Sequence, residues 1–210
     1  MIRILIADDH EMFREGIKRI CEDDPDIVIA GEASSGHEVL NLVSKQEFDL
    51  LLLDIAMPGL NGLDTLKQLK TIKPKLRVLV LSMYPEDEYA VRAIKAGAAG
   101  YLTKARASHE LMVAIRKIAS GKNYINASVA EKLIFDMTPG HAGLPHESLS
   151  DREYQIFSMI VNGKKVGEIA DELYISVKTV STHRIRILSK MEMKSTAELV
   201  KYAVEHKLIV

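Results

Sequence analysis

The sequence predicts an α/β domain, built on a five-stranded parallel sheet, followed by a small all-helical domain. Three observations predict it. Short runs rich in β-branched residues alternate five times with amphipathic segments over the first 120 or so residues. Beyond them the strand signal vanishes, and a stretch dense in Pro and Gly separates the two regimes. Several of the central runs are apolar on both faces, as strands covered by helices on two sides must be. Five such units fit a flavodoxin-like, doubly wound sheet with strand order 2-1-3-4-5.

Taken in order, Ile2 to Ala7 reads as the first strand and Glu11 to Cys21 as the helix that follows. Ile27 to Ala30 and Gly36 to Ser44 form the second strand and helix, Phe48 to Leu53 and Leu63 to Ile72 the third pair. Val78 to Leu81 is the fourth strand, Glu88 to Ala96 its helix, Gly100 to Thr103 a short fifth strand and Ser108 to Ala119 the last helix of the domain. The glycines around Ala96 to Gly100 lack a G-x-G-x-x-G pattern and follow a helix, so they read as a tight turn into the fifth strand.

These elements set a first domain at 1–121 and a linker at 122–146. The linker carries a short helix around Val129 to Phe135, with Val129, Leu133 and Ile134 on one face, before the breakers Pro139 to Pro145. The helical domain, 147–210, contains Asp151 to Val161, Val166 to Leu173, Val177 to Met191 and Thr196 to Glu205. Ser150 caps the first of these, with Glu153 in the capping-box position.

Composition narrows the function. Lys+Arg 28 against Asp+Glu 29 leaves a net charge of -1, which excludes binding of nucleic acid or membrane by bulk positive charge and requires a local patch instead. Cys21 is the only cysteine, so neither an intramolecular disulfide nor a multi-cysteine zinc site exists, and a cytoplasmic location is expected. The longest apolar runs, such as Leu50 to Leu53, are strand-sized and far short of a membrane span. Asp8 and Asp9 follow the first apolar run too soon for a signal peptide.

In an open α/β sheet, ligands bind beyond the carboxyl ends of the strands, where the order reverses. Asp8 and Asp9 follow the first strand and Asp54 ends the third, so three carboxylates converge on one crevice. Their repulsion would be relieved by a hard divalent ion, and Mg²⁺ suits two or three carboxylates with a backbone carbonyl and waters. Ser82 and Lys104 lie on the same rim, where a hydroxyl and an ammonium would serve an anionic phosphoryl group. Alone, Asp8-Asp9 could merely begin a helix; five polar residues at the proper strand ends make that coincidence small.

Asp8-Asp9, then Asp54 to Gly62 as D-x-x-M-P-x-x-x-G, then Leu81-Ser82 and Gly100-Tyr101-Leu102-Thr103-Lys104 resemble the receiver domain of two-component response regulators. The resemblance implies that Asp54 is the phosphoacceptor and that Asp8, Asp9, Asp54 and the Ala56 carbonyl hold Mg²⁺. It also implies that Ser82 and Lys104 bind the phosphoryl oxygens and that Tyr101 is the switch aromatic. A carboxylate nucleophile makes a labile acyl phosphate, stabilised by positioning and charge. Ala105 departs from the proline found after the lysine in many receivers.

In the helical domain, Tyr174-Ile175-Ser176 forms the turn of a helix-turn-helix, with Ser176 capping the second helix. At about 100° per residue, Val180, His183, Ile187 and Met191 turn inward, while Lys178, Ser181, Thr182, Ile185, Arg186 and Ser189 turn outward. Arg184 falls near the core side, and only its long stem could bring the charge out. Basic residues concentrate on this helix, which suits phosphate contact and equally a solvated face.

Leu149 to Glu153, Asn162-Gly163-Lys164, Glu168-Ile169-Ala170, Ile175 to Val180, His183 and Lys190-Met191 are similar to the LuxR-type helix-turn-helix. A receiver joined to such a domain is the NarL/FixJ class. The resemblance implies a phosphorylation-controlled transcription regulator whose partners are a sensor histidine kinase and double-stranded promoter DNA. Lys178, Ser181, Thr182, Ile185 and Arg186 are then the DNA-contacting set. Apart from its own phosphorylation and dephosphorylation it would not be an enzyme. In the last helix, Leu199, Val200, Ala203 and Val204 form an apolar stripe that serves either the small core or a homodimer contact. The rival readings are an aspartate-dependent phosphohydrolase, which leaves the helical domain idle, and an adaptor that binds protein instead of DNA.

Overall fold

The computed structural model describes residues 1–84, 86–136 and 144–209. It divides into two compact units, Met1–Phe135 and Asp136–Val210. The breakers expected at 139–143 lie outside the described residues.

The first unit holds five parallel strands, β1 (Ile2–Ala7), β2 (Ile27–Ala33), β3 (Leu50–Asp54), β4 (Arg77–Ser82) and β5 (Gly100–Thr103). Their spatial order is β2-β1-β3-β4-β5. The helices are α1 (Glu11–Glu22), α2 (Gly36–Lys45), α3 (Gly62–Ile72), α4 (Glu86–Lys95), α5 (Ala107–Ala119) and α6 (Ala127–Asp136). The third strand starts two residues later than its apolar run, because Phe48 is buried ahead of the ladder and Asp49 accepts the Arg3 N–H through its side chain at 2.8 Å.

Alternation along the strands sorts the core into two layers. Ile4, Ile6, Leu50, Leu52, Leu79 and Leu81 pack with Ile17 of α1 and Leu111, Ile115 and Ile118 of α5. Leu5, Leu51, Leu53, Val78 and Val80 project to the opposite face and are equally buried. Each such side chain contributes roughly 1.5–3 kcal/mol over an exposed one, so the strands in which both sets are buried anchor the sheet. In α6, Val129 is buried but Ile134 is 71% exposed. The shared apolar face expected for this helix is therefore narrower than the sequence implied.

Parallel register brings the carboxyl ends together. Ala7 pairs with Leu53, Asp54 with Leu81 and Ser82 with Thr103, so the residues just beyond them share one rim. Gly62, at the start of α3, is demanded by that rim. A Cβ there would lie 2.0 Å from the Asp54 carbonyl oxygen, while the Gly62 N–H donates to the Ile55 carbonyl at 3.0 Å.

The second unit is helical: α7 (Asp151–Val161), α8 (Val166–Glu172), α9 (Val177–Lys190) and α10 (Thr196–Glu205). Ser150 accepts the Glu153 N–H, and Glu153 accepts the Ser150 N–H at 2.9 Å, completing the capping box. Lys190 donates to Glu153 at 2.6 Å, fastening the end of α9 to the start of α7. The turn between α8 and α9 contains Tyr174 at φ 52, and Ser176 caps α9 by accepting the Thr179 N–H at 3.0 Å. In α10, Leu199, Tyr202 and Ala203 are buried but Val204 is 60% exposed. Leu199 and Ala203 of the expected stripe thus close the core while Val204 faces outward, and Tyr202 joins the inner face with its hydroxyl 2.7 Å from Nδ1 of buried His146. Among the described residues, no helix is long and apolar enough to cross a membrane.

Candidate functional site

Asp8 and Asp54 are almost completely buried at the carboxyl ends of β1 and β3, and Asp9 is half-buried beside them. The Lys104 ammonium, just past β5, lies 2.6 Å from Asp8 Oδ2 and 2.7 Å from Asp54 Oδ2, with its side chain only 6% exposed. It also stands 4.6 Å from the centre of the Phe13 ring. The other Asp54 oxygen, Oδ1, accepts the Ala56 N–H at 3.1 Å.

One ammonium between two buried carboxylates leaves a local excess of negative charge. Burial pushes the Asp54 carboxyl above its ordinary value; Lys104 opposes this and Asp8 reinforces it. For Lys104, burial acts downward but is outweighed by the Asp54 charge and by hydrogen bonds to Asp54 and Asp8, so the ammonium is held more firmly than usual. The two shifts differ in origin: burial dominates at Asp54, the acidic neighbours at Lys104.

Asp8, Asp9, His10 and Asp54 each offer a ligand atom, and these atoms lie within 4.8 Å of one another. Hard carboxylate oxygens in that number fit Mg²⁺. His10 is the member that the sequence did not single out. Its N–H donates to Asp8 Oδ1 at 2.9 Å, and its Nδ1 lies 2.8 Å from Asp9 Oδ1. Arg14, also unanticipated, donates to the Asp8 carbonyl at 2.8 Å and to Glu32 at 3.1 Å. Both belong to the turn after β1 or to α1, and their only sequence signal was proximity to the acidic pair.

Ser82 and Tyr101 meet at a third residue. The fully buried Ser82 hydroxyl accepts the Tyr84 N–H at 3.1 Å, and the buried Tyr101 hydroxyl donates to the Tyr84 carbonyl at 2.8 Å. The Tyr84 ring stacks on Tyr89 with centroids 4.4 Å apart. The loop after β4 is thus tied to Ser82 through the Tyr84 N–H and to Tyr101 through the Tyr84 carbonyl.

On α9, Lys178, Thr182, Ile185 and Arg186 are exposed, whereas Ser181 is half-buried. The Ser181 and Thr182 hydroxyls donate to the carbonyls of Val177 and Lys178, at 2.9 Å each. Val180 and Ile187 are fully buried beneath, and His183 and Arg184 are half-buried. Burial lowers the His183 pKa, with Arg152 and Arg186 adding to the shift against Glu153, which favours a neutral ring.

Residues 4–116 match the family model of the response regulator receiver domain, and residues 147–203 match that of bacterial regulatory proteins of the luxR family. The chain is similar to the response regulator GacA of Pseudomonas aeruginosa, 38% identical over 210 residues that span all of this chain and 98% of the relative. Against the response regulator UvrY of Escherichia coli the identity is 37%, covering 99% and 96%. Among solved structures, RcsB of Salmonella enterica serovar Typhimurium, bound to a promoter in the presence of the phosphomimetic BeF3-, is 25% identical with a TM-score of 0.65, covering 96% of this chain and 97% of that one. A structure of two RcsB dimers on two parallel DNAs is 25% identical with a TM-score of 0.58, covering 97% and 98%.

Proposed function

The chain belongs to the two-component response regulators that join a receiver domain to a LuxR-type DNA-binding domain, and on that premise we propose that Asp54 accepts a phosphoryl group from a sensor histidine kinase and thereby controls promoter binding. The domain limits in this reading are a receiver at 1–121, a linker at 122–146 and a DNA-binding domain at 147–210. The observation that carries it is the placement of Asp54, nearly buried, with one oxygen on the Lys104 ammonium and the other on the Ala56 N–H.

An Asp54 oxygen attacks phosphorus in line, a P–O bond forms, and the P–N bond of the donor phosphohistidine breaks with the electron pair returning to the imidazole. Lys104 pairs with a phosphoryl oxygen, and Ser82 turns its hydroxyl from Tyr84 to donate to another. Mg²⁺, held by Asp8, Asp9, Asp54 and the Ala56 carbonyl, would neutralise the charge gathered there. Because Ser82 accepts the Tyr84 N–H in this structure, its departure leaves that N–H to seek a new partner, and Tyr101 loses its fixed acceptor. The result is a population shift of the loop after β4 and of Tyr101.

In the helical domain, α9 enters the major groove with Lys178, Ser181, Thr182, Ile185 and Arg186 facing DNA, and the active protein is a homodimer on paired half-sites. The dimers in the RcsB structure on DNA support that stoichiometry. The protein acts in the cytoplasm. Intact mass after incubation with Mg²⁺ and a small acyl-phosphate donor tests the chemistry. Wild type gains one phosphoryl group and Asp54→Asn gains none; equal gain by both would reject Asp54 as the acceptor.

A further inference from the structure

Within α9 the outward face has a composition that phosphate contact does not explain. The helix contains no acidic residue, so its charge complements DNA. Yet the position nearest the middle of the exposed face is shared by Lys178 and an isoleucine. At about 100° per residue, Ile185 lies about 160° around the helix from Ile187 and about 140° from Val180, both of which are fully buried. Ile185 is 65% exposed. A large branched side chain held in water at the centre of a basic face gains nothing from the fold.

Its neighbours add to the contrast. Lys178 lies one position-group away on the same stripe, about 10 Å along the axis at about 1.5 Å per residue, a distance of about three base steps. Ser181 and Thr182 have committed their hydroxyl protons to the helix backbone, so their oxygens can accept but not donate toward bases. Lys190, the remaining basic residue at the helix end, is held by Glu153. The face therefore presents the Lys178 ammonium, the Arg186 guanidinium, two acceptor hydroxyls and the aliphatic Ile185 to the groove. In the major groove the one apolar feature of a base edge is the 5-methyl group of thymine.

We propose that Ile185 reads a thymine methyl group, making it a specificity-determining residue that fixes one A·T pair in each half-site. The inference rests on the reading that α9 is the helix in the groove. Lys178 supplies a hydrogen bond to a base or phosphate about three steps away, and the sequence discrimination at the Ile185 position comes from burying apolar surface against the methyl.

The test uses the full chain with Mg²⁺ and beryllium fluoride, and duplexes selected from a random library at fixed salt. Each thymine of the selected half-site is then replaced in turn by deoxyuridine, which deletes the methyl and leaves every hydrogen-bonding group in place. At one position wild type should lose about four-fold in affinity, the worth of one buried methyl-sized group, and Ile185→Ala should lose nothing from that same replacement. Since Ile185 is 65% exposed, the variant should keep an unfolding midpoint close to that of wild type. Lys178→Ala should weaken all duplexes and reduce the salt slope while keeping the deoxyuridine effect. A wild type indifferent to every deoxyuridine, or an Ile185→Ala variant as sensitive as wild type, would overturn the proposal with α9 still in the groove. Retention of full affinity and salt slope in Lys178→Ala, Ile185→Ala and Arg186→Ala alike would overturn the placement of α9 itself.

Discussion

Replacing Lys104 by Met removes an ammonium that lies 2.6 Å from Asp8 and 2.7 Å from Asp54. The two carboxylates are 2% and 1% exposed at their side chains, so water cannot take over its role. Ligand atoms of the cluster lie within 4.8 Å of one another; unit charges at that distance repel by about 3 kcal/mol at an effective dielectric of about 20. Deleting one partner of a buried ion pair costs about 3–5 kcal/mol. Met keeps most of the aliphatic stem while removing the ammonium that stands over the Phe13 ring, so the loss is chiefly electrostatic. The expected destabilisation is about 3 kcal/mol at pH 7 without divalent ions. Adding Asp54→Asn should return much of it. The Asp54 pKa is raised in the folded protein, so its ionised form at neutral pH opposes folding, and removing that charge relieves the strain on Asp8. Saturating Mg²⁺ should narrow the gap between Lys104→Met and wild type, because an ion that binds only the folded site stabilises most where no ammonium competes. Urea unfolding followed by hydrogen exchange of the β1 and β3 peptides reports this domain by itself. A variant within about 0.5 kcal/mol of wild type in chelator, on a scale where such losses are about 3, would refute the reasoning, as would Mg²⁺ widening the gap.

Two further substitutions test the framework around the sites. Gly62→Ala places a methyl 2.0 Å from the Asp54 carbonyl oxygen; a loss of about 1–3 kcal/mol and slower phosphorylation of Asp54 are expected, read by urea unfolding and an intact-mass time course, and unchanged values would show that the loop yields freely. Glu153→Gln removes the charge that receives Lys190 at 2.6 Å and should cost about 1–2 kcal/mol at pH 7. For Glu153, burial acts upward but Lys190 and the Ser150 groups outweigh it, leaving the carboxyl below its ordinary range. A depressed carboxyl contributes fully above its unfolded value and loses that contribution as pH falls through the lower folded one. The difference between variant and wild type should therefore shrink below about pH 4.5 in thermal unfolding of the full chain; a difference that grows on acidification would reverse the assignment.

The sequence by itself determined the strand order, the two-part organisation and the convergence of Asp8, Asp9 and Asp54. These follow from local periodicity, which acts over a few residues at a time, and from a general rule about sheet topology that needs no side-chain detail. The same holds for the Ser150 and Ser176 caps, whose partners lie three residues away. Tertiary structure alone decided where the polar atoms point. Periodicity grouped Val204 with Leu199, and Ile134 with Val129, but burial depends on which neighbour arrives: Leu199 and Val129 are buried, Val204 and Ile134 are exposed, and Tyr202 joins the inner face. Lys104 meets Asp54 across 50 positions of sequence, and Tyr101 meets Tyr84 across 17. His146 meets Tyr202 across 56. No local pattern encodes such pairs, since each depends on loop closure and on the register in which strands or helices dock. Gly62 unites the two kinds of information: the motif marks the residue, but only the packed backbone of Asp54 and Ile55 explains why no side chain fits there.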